Sequence, residues 1–210
     1  IHVGDTIVEL GQTEALPRLH VDEPTVQMMF LTNSSPFAGK EGKFVTASKI
    51  DERLFKEVLK DVSLAVVRDT ETDAWVVSGR GELHLGILIE NMRREGFEFA
   101  VSRPKVIFKE IDGRTHEPFE EVQIDAPNEY IGSVMELIGN RRGDIIKMDQ
   151  GMNETRLMYH MPSRGLIGLM TDFLTVTKGF GVLSHMFLEY RPMLNIPVGN
   201  RQNGALISMS

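Results

Sequence analysis

Gly39-Lys40 and Gly42-Lys43 are the residues that come nearest to a phosphate-cradling loop. Such a loop needs a glycine-rich turn facing the phosphates, then Lys, then Ser or Thr for the magnesium ion. Here Gly39-Lys40 is followed by Glu41, with Ser34 where the first glycine belongs, and Gly42-Lys43 is followed by Phe44. Neither pair can build the loop. Gly79-Arg80-Gly81 opens like a dinucleotide fingerprint, but His84 takes the third glycine position. The six His include no HExxH pair. Glu82 and His84, two apart, do not share a helical face. Glu120 and Glu121 adjoin in a strand and point to opposite sides, which defeats a joint acid–base role. Cys is absent, so disulfides and thiolate metal sites are excluded. No catalytic, cofactor-binding or metal-binding set is expected.

What remains is a group of basic turns. Asn140-Arg141-Arg142-Gly143 sits between a helix and a strand, with Lys147 nearby, and Arg103, Lys105 and Lys109 cluster in a connection. Arg164 lies at a helix N-terminus, where a cation opposes the dipole. A base held there hints at an anionic partner, beside N–H groups that favour phosphate. Arg141, Arg142, Lys147, Arg164, Arg103 and Lys105 are therefore the candidate contacts to an anionic backbone. Arg141 and Arg142 are both expected to project outward. Ordinary surface charge is the plainer reading of each, and for Arg141 a cap on the helix carbonyls. His160 reads as a sheet-face histidine. Most of the twelve Met sit at periodic apolar positions such as Met92, Met135 and Met170, which points to core packing.

The elements that must position these residues repeat one order twice. After a short Pro-bounded segment, Glu14 to Pro24, the run Val26 to Leu31 is a strand. Ile50, Leu54 and Val58 recur at helical spacing, with Ser48 and Asp51 as a capping box. Val62, Leu64 and Val66 alternate as a strand, and Ala74 to Val77 make another. Leu85, Leu88, Ile89 and Met92 mark a second helix that Gly96 ends, and Phe97, Phe99 and Val101 alternate after it. Beyond Pro104 the order recurs. Val122 and Ile124 form a strand. A helix carries Ile131, Val134 and Ile138, capped by Asn128 and ended by Gly139. Gly143 to Met148 form a strand, as do Thr155 to Met161. Ser163 caps a helix carrying Leu166, Leu169, Met170 and Phe173, and Leu183 to Tyr190 close the module. The expected fold class is α+β, two tandem ferredoxin-like βαββαβ modules.

Hydrophobic residues make up 41% and charged residues 25%, which suits a folded chain with its own core. No apolar run approaches the roughly 18 residues of a membrane span. The net charge is −7, distributed as −4 over residues 1–24, −2 over 25–102, −3 over 103–190 and +2 over 191–210. The two central blocks are nearly balanced, so any RNA contact must be a local patch rather than a basic coat.

Longer motifs carry a resemblance. Ser78-Gly79-Arg80-Gly81-Glu82-Leu83-His84-Leu85 looks like the SGxGELHL signature of domain III in the elongation factor G superfamily. Glu129-Tyr130-Ile131-Gly132 with Asn140-Arg141-Arg142-Gly143 resembles its domain V signature. Within that superfamily three stretches resemble the BipA (TypA) family of translational GTPases. They are the loop Thr32 to Gly42, the motif Pro162-Ser163-Arg164-Gly165-Leu166-Ile167-Gly168, and Asn200 to Ser208. The related factor LepA carries different residues at all three. In the translocase itself another domain separates the two modules, whereas here Val101 runs within a few residues into the second.

The resemblance implies residues 1–24 as the end of a domain II β-barrel and linker, and 25–102 as a domain III-like module. It implies 103–190 as a domain V-like module and 191–210 as the truncated start of a C-terminal domain. Ile1 is not an initiator Met, and both ends read as interruptions. Residues beyond about 194 are expected to be poorly ordered, because Ala205-Leu206-Ile207 lacks the domain it would pack into.

The resemblance further implies a cytoplasmic, ribosome-binding portion of a translational GTPase. Its roles would lie in stress-responsive translation regulation and large-subunit assembly. Its partners would be rRNA and large-subunit ribosomal proteins, with a G domain in cis and no membrane or DNA. GTP with magnesium belongs to that G domain, and no cofactor to this segment. The alternative is a tandem ferredoxin-like regulatory module that binds a small ligand. An enzyme in its own right finds no support.

Overall fold

The computed structural model describes residues 6–11, 14, 15, 17, 23–69, 72, 74–195 and 198. Most of 1–24 and of 191–210, where a β-barrel end and a further domain are expected, lies outside the described residues. So does the motif from Asn200 to Ser208. The chain divides into two compact units, Ile1–Ile107 and Phe108–Ser210.

The first unit runs β1 (Val26–Thr32), α1 (Ala47–Val58), β2 (Ala65–Asp69), β3 (Ala74–Gly79), α2 (Glu82–Arg94), β4 (Phe99–Val101) and β5 (Lys105–Val106). The sheet order is β2-β3-β1-β4, with β5 added to β1. All of these pairings are antiparallel. Period-two alternation sends Val26, Met28 and Phe30 to one face, in register with Gly79, Val77 and Trp75. There they meet Ile50 and Leu54 of α1 and Leu85, Leu88 and Met92 of α2, forming one buried cluster.

Two local expectations shift. Ser48 and Asp51 form no capping box. Thr46 is the N-cap of α1, without a side-chain cap bond. The buried Trp75 indole needs an acceptor and donates to Asp51 Oδ1 at 2.6 Å. The strand expected from Val62 begins at Ala65, because Asp61 folds the preceding residues into a turn. It accepts both the N–H and the hydroxyl of Ser63, at 2.9 and 2.5 Å. The compact unit runs through Ile107, since β5 pairs with β1 and Ile107 N–H donates to Thr25 O at 2.9 Å.

The second unit runs β6 (Lys109–Ile111), β7 (Arg114–Pro127), α3 (Ile131–Asn140), β8 (Asp144–Gln150), β9 (Glu154–Pro162), α4 (Ser163–Leu166), α5 (Leu169–Val176) and β10 (Val182–Pro192). Its sheet order is β10-β7-β9-β8, with β6 paired to β7. Val122, Ile124 and Ala126 of β7 and Leu157, Tyr159 and Met161 of β9 pack with α3 and α5 residues in a second core.

Here too the caps differ. Asn128 ties a 3-10 turn to the β8–β9 hairpin instead of capping α3. Its amide donates to the carbonyls of Gly151 and Met152, and its oxygen accepts from Thr155 Oγ1 at 2.7 Å. Helix α3 continues past Gly139 to Asn140, and the left-handed residue after it is Arg142, with φ +65°. The single helix expected after Ser163 is broken into α4 and α5 at Ile167-Gly168. Ser163 makes no cap bond.

Candidate functional site: the basic turns and the loop around Glu98

The six candidate cations divide sharply. Arg141 is 8% exposed and turns inward. Its Nη1 donates to the carbonyls of Gly165 and Ile167 at 2.8 and 2.9 Å, and its Nη2 pairs with Asp172 at 2.5 Å. The expectation that it projects outward is therefore corrected. The break between α4 and α5 leaves carbonyls without helical partners, and a guanidinium is the fork that can reach several at once. Gly165 permits the approach: a Cβ there would lie 2.6 Å from the Arg141 carbonyl oxygen.

Arg164 has its anionic partner inside the chain. Its Nε and Nη2 hold the Glu117 carboxylate at 2.6 and 3.1 Å, and Nη2 also donates to Leu194 O at 2.5 Å. Glu117 is fully buried and accepts the Leu194 N–H at 2.8 Å. A buried carboxylate requires this kind of pairing. The arrangement clasps the chain just after β10. No local signal marks Glu117, whose partner is 47 residues away.

The remaining four are exposed. Arg142 has no ion pair or side-chain hydrogen bond among the described residues. Lys147 pairs with Asp149 at 2.6 Å on the surface, a weak contact. Arg103 precedes β5 and Lys105 opens it. The structure thus draws Arg141 and Arg164 into the fold of the second unit and leaves the other four on the surface.

Glu120 and Glu121 do face opposite sides. Glu120 is buried and accepts from His185 Nδ1 at 2.5 Å. Glu121 lies 3.7 Å from His160 on the other face. No group of acids and histidines among the described residues could hold a metal ion. No helix among them is long and apolar enough to cross a membrane.

Glu98 organises a feature that sequence reasoning missed. Its carboxylate accepts from the amides of Gly39, Glu41 and Gly42 at 3.0–3.1 Å and from Asn33 Nδ2 at 2.6 Å. The loop from Asn33 to Gly42 is wrapped around it. Burial would raise this carboxyl, but the donated hydrogen bonds outweigh it and hold the group below the ordinary carboxylate range. Gly42 is needed for the approach: a Cβ there would meet Gly96 O at 2.8 Å and Glu98 N at 2.9 Å. An acid inside the alternation Phe97-Phe99-Val101 was the available sign.

Comparison with known proteins adds the ancestry. Elongation Factor G, domain III matches residues 44–103, and Elongation factor G C-terminus matches residues 114–198. The large ribosomal subunit assembly factor BipA of Bacillus subtilis (strain 168) is 56% identical over 210 residues, all of this chain. The protein of the same name from Escherichia coli (strain K12) is 54% identical over 209 residues, 99% of the chain. The chain belongs to the BipA family of the elongation factor G superfamily. It spans 34% of the length of each of these BipA relatives. A solved structure from Thermus thermophilus, 16% identical, shares the fold with a TM-score of 0.53, over 88% of this chain and 44% of that one.

Four of the stretches that resemble the BipA family or its superfamily thus have physical jobs. The loop from Thr32 is closed by Glu98. The turn of Arg141 is latched to the Pro162–Gly168 motif. In Ser78–Leu85, His84 Nε2 pairs with Asp61 Oδ2 at 2.6 Å and so ties α2 to the turn after α1.

Proposed function

We propose that this chain is the ribosome-binding portion of a BipA-type translational GTPase acting in large-subunit assembly and stress-responsive translation regulation. The observation that carries this is 56% identity over the whole chain to a protein named as a large ribosomal subunit assembly factor. Two modules matching domain III and the C-terminus of elongation factor G support the reading. The modules act as scaffold and contact surface for rRNA and large-subunit ribosomal proteins in the cytoplasm. GTP hydrolysis with magnesium belongs to a G domain elsewhere in the parent. Arg142, Lys147, Arg103 and Lys105 remain the outward candidates for phosphate contact, while Arg141 and Arg164 support the surface from within.

Co-sedimentation of the full-length parent with ribosomes, with a GTP analogue against GDP, tests this. Binding favoured by the GTP analogue is expected, and equal absence of binding in both states overturns the reading. The chain alone is expected to bind no GTP in calorimetry. Saturable binding at micromolar concentrations would show that nucleotide chemistry resides here after all.

A further inference from the structure

With Glu98 holding the loop from beneath, Phe37, Lys40 and Lys43 are among the side chains left facing outward. Phe37 is 65% exposed, and the Lys40 ammonium stands 4.6 Å from its ring centroid. Beside them lies an open concavity of about 690 Å3, walled by residues 39–43 and 94–96. The acids around it are mostly engaged. Glu95 is held by Arg53, Glu90 by Arg93 and Arg94, and Glu98 by the loop amides. Glu41 is the remaining acid at the rim. Lys40 and Lys43 make no ion pair among the described residues.

The backbone donors are engaged as well. The amides of Gly39, Glu41 and Gly42 serve Glu98, and those of Lys43 and Phe44 serve the Gly96 carbonyl. An incoming anion must therefore be met by side chains, and the two lysines are placed to do it. An exposed aromatic face beside flexible cations is the pattern that receives unpaired nucleotides, the ring stacking a base and the cations tracking its phosphates. A loop already ordered by four donors gives up little entropy on docking.

We propose that the loop from Asn33 to Lys43 is an RNA-docking finger, in which Phe37 stacks on an unpaired base and Lys40 and Lys43 hold adjacent phosphates. This rests on the ribosome-binding reading and names RNA as what this part of the surface touches.

The test uses the full-length parent and the variants Phe37→Ala and Lys40→Ala/Lys43→Ala, with ribosome affinity measured across a salt series. The double lysine variant should weaken binding and flatten the log–log salt slope by about 1.5 units, as loss of two phosphate contacts predicts. Phe37→Ala should weaken binding roughly tenfold with the slope unchanged. Melting temperatures should barely move, since all three side chains are exposed. If affinity falls in the lysine variant with no change of slope, the finger meets protein and the proposal is overturned. Unchanged affinity in both variants overturns it too.

If the wild-type parent does not co-sediment at all, the ribosome reading fails. Titration with single-stranded poly(U) then decides the finger separately. Binding that is lost in the lysine variant sustains it, and absence of binding ends it.

Discussion

The Arg141 guanidinium meets the Asp172 carboxylate at 2.5 Å across 31 residues while bridging the carbonyls of Gly165 and Ile167. The turn after α3 is thereby latched to the break between α4 and α5. Its neighbour Arg142 takes no part in this and sits exposed in a left-handed conformation. Adjacent arginines therefore have opposite duties.

Arg141→Ala should cost about 2–3 kcal/mol, because it strands buried carbonyls and removes a charged donor. Arg142→Ala should stay within about 0.5 kcal/mol, as exposed substitutions do. Urea denaturation of both variants measures the contrast. Equal losses would show that the latch contributes nothing particular to the fold.

Leu88, 4% exposed in the core of the first unit, should on replacement by Ala leave a cavity costing about 2–5 kcal/mol. Chemical denaturation reads it. A loss under about 0.5 kcal/mol would mean that α2 does not bury this face in solution.

His185 supplies a pH dependence. Its hydrogen bond to Glu120, with the charge of that carboxylate, raises the imidazole above its usual 6.5 against the opposing effect of burial. A raised folded value gives stability fully present below about pH 6.5 and lost as pH rises through the folded value. The stability gap between the protein and His185→Gln should be widest near about pH 6 and shrink toward about pH 9. A gap independent of pH would show that the charged pair does not form.

Glu98 titrates in the other sense. Its carboxyl lies below the ordinary 4.5, so its hold on the loop persists above that pH and is released as pH falls through the lower folded value. The amide resonances of Gly39, Glu41 and Gly42 should shift together in an acid NMR titration. In Glu98→Gln they should already be displaced at neutral pH. Independent titration of the three amides would contradict the shared carboxylate.

The repeated βαββαβ order and both cores were legible along the chain, because period-two and period-3.6 apolar patterns are local and burial follows them at most positions, although Met135 and Met170, expected in the core, stay exposed. Val26-Met28-Phe30 and Leu85-Leu88-Met92 are buried as the pattern requires. The family, too, was legible in continuous motifs. The partner of each polar group emerged only on folding. Asp51 took the Trp75 indole instead of a cap. Arg164 took Glu117, 47 residues away, and Arg141 turned inward to Asp172. Glu98 drew a loop around itself from 56 to 65 residues upstream. Hydrophobic burial depends on periodicity along the chain, whereas a buried charge or donor is satisfied by whatever the packing brings within about 3 Å. Sequence spacing carries no record of that distance.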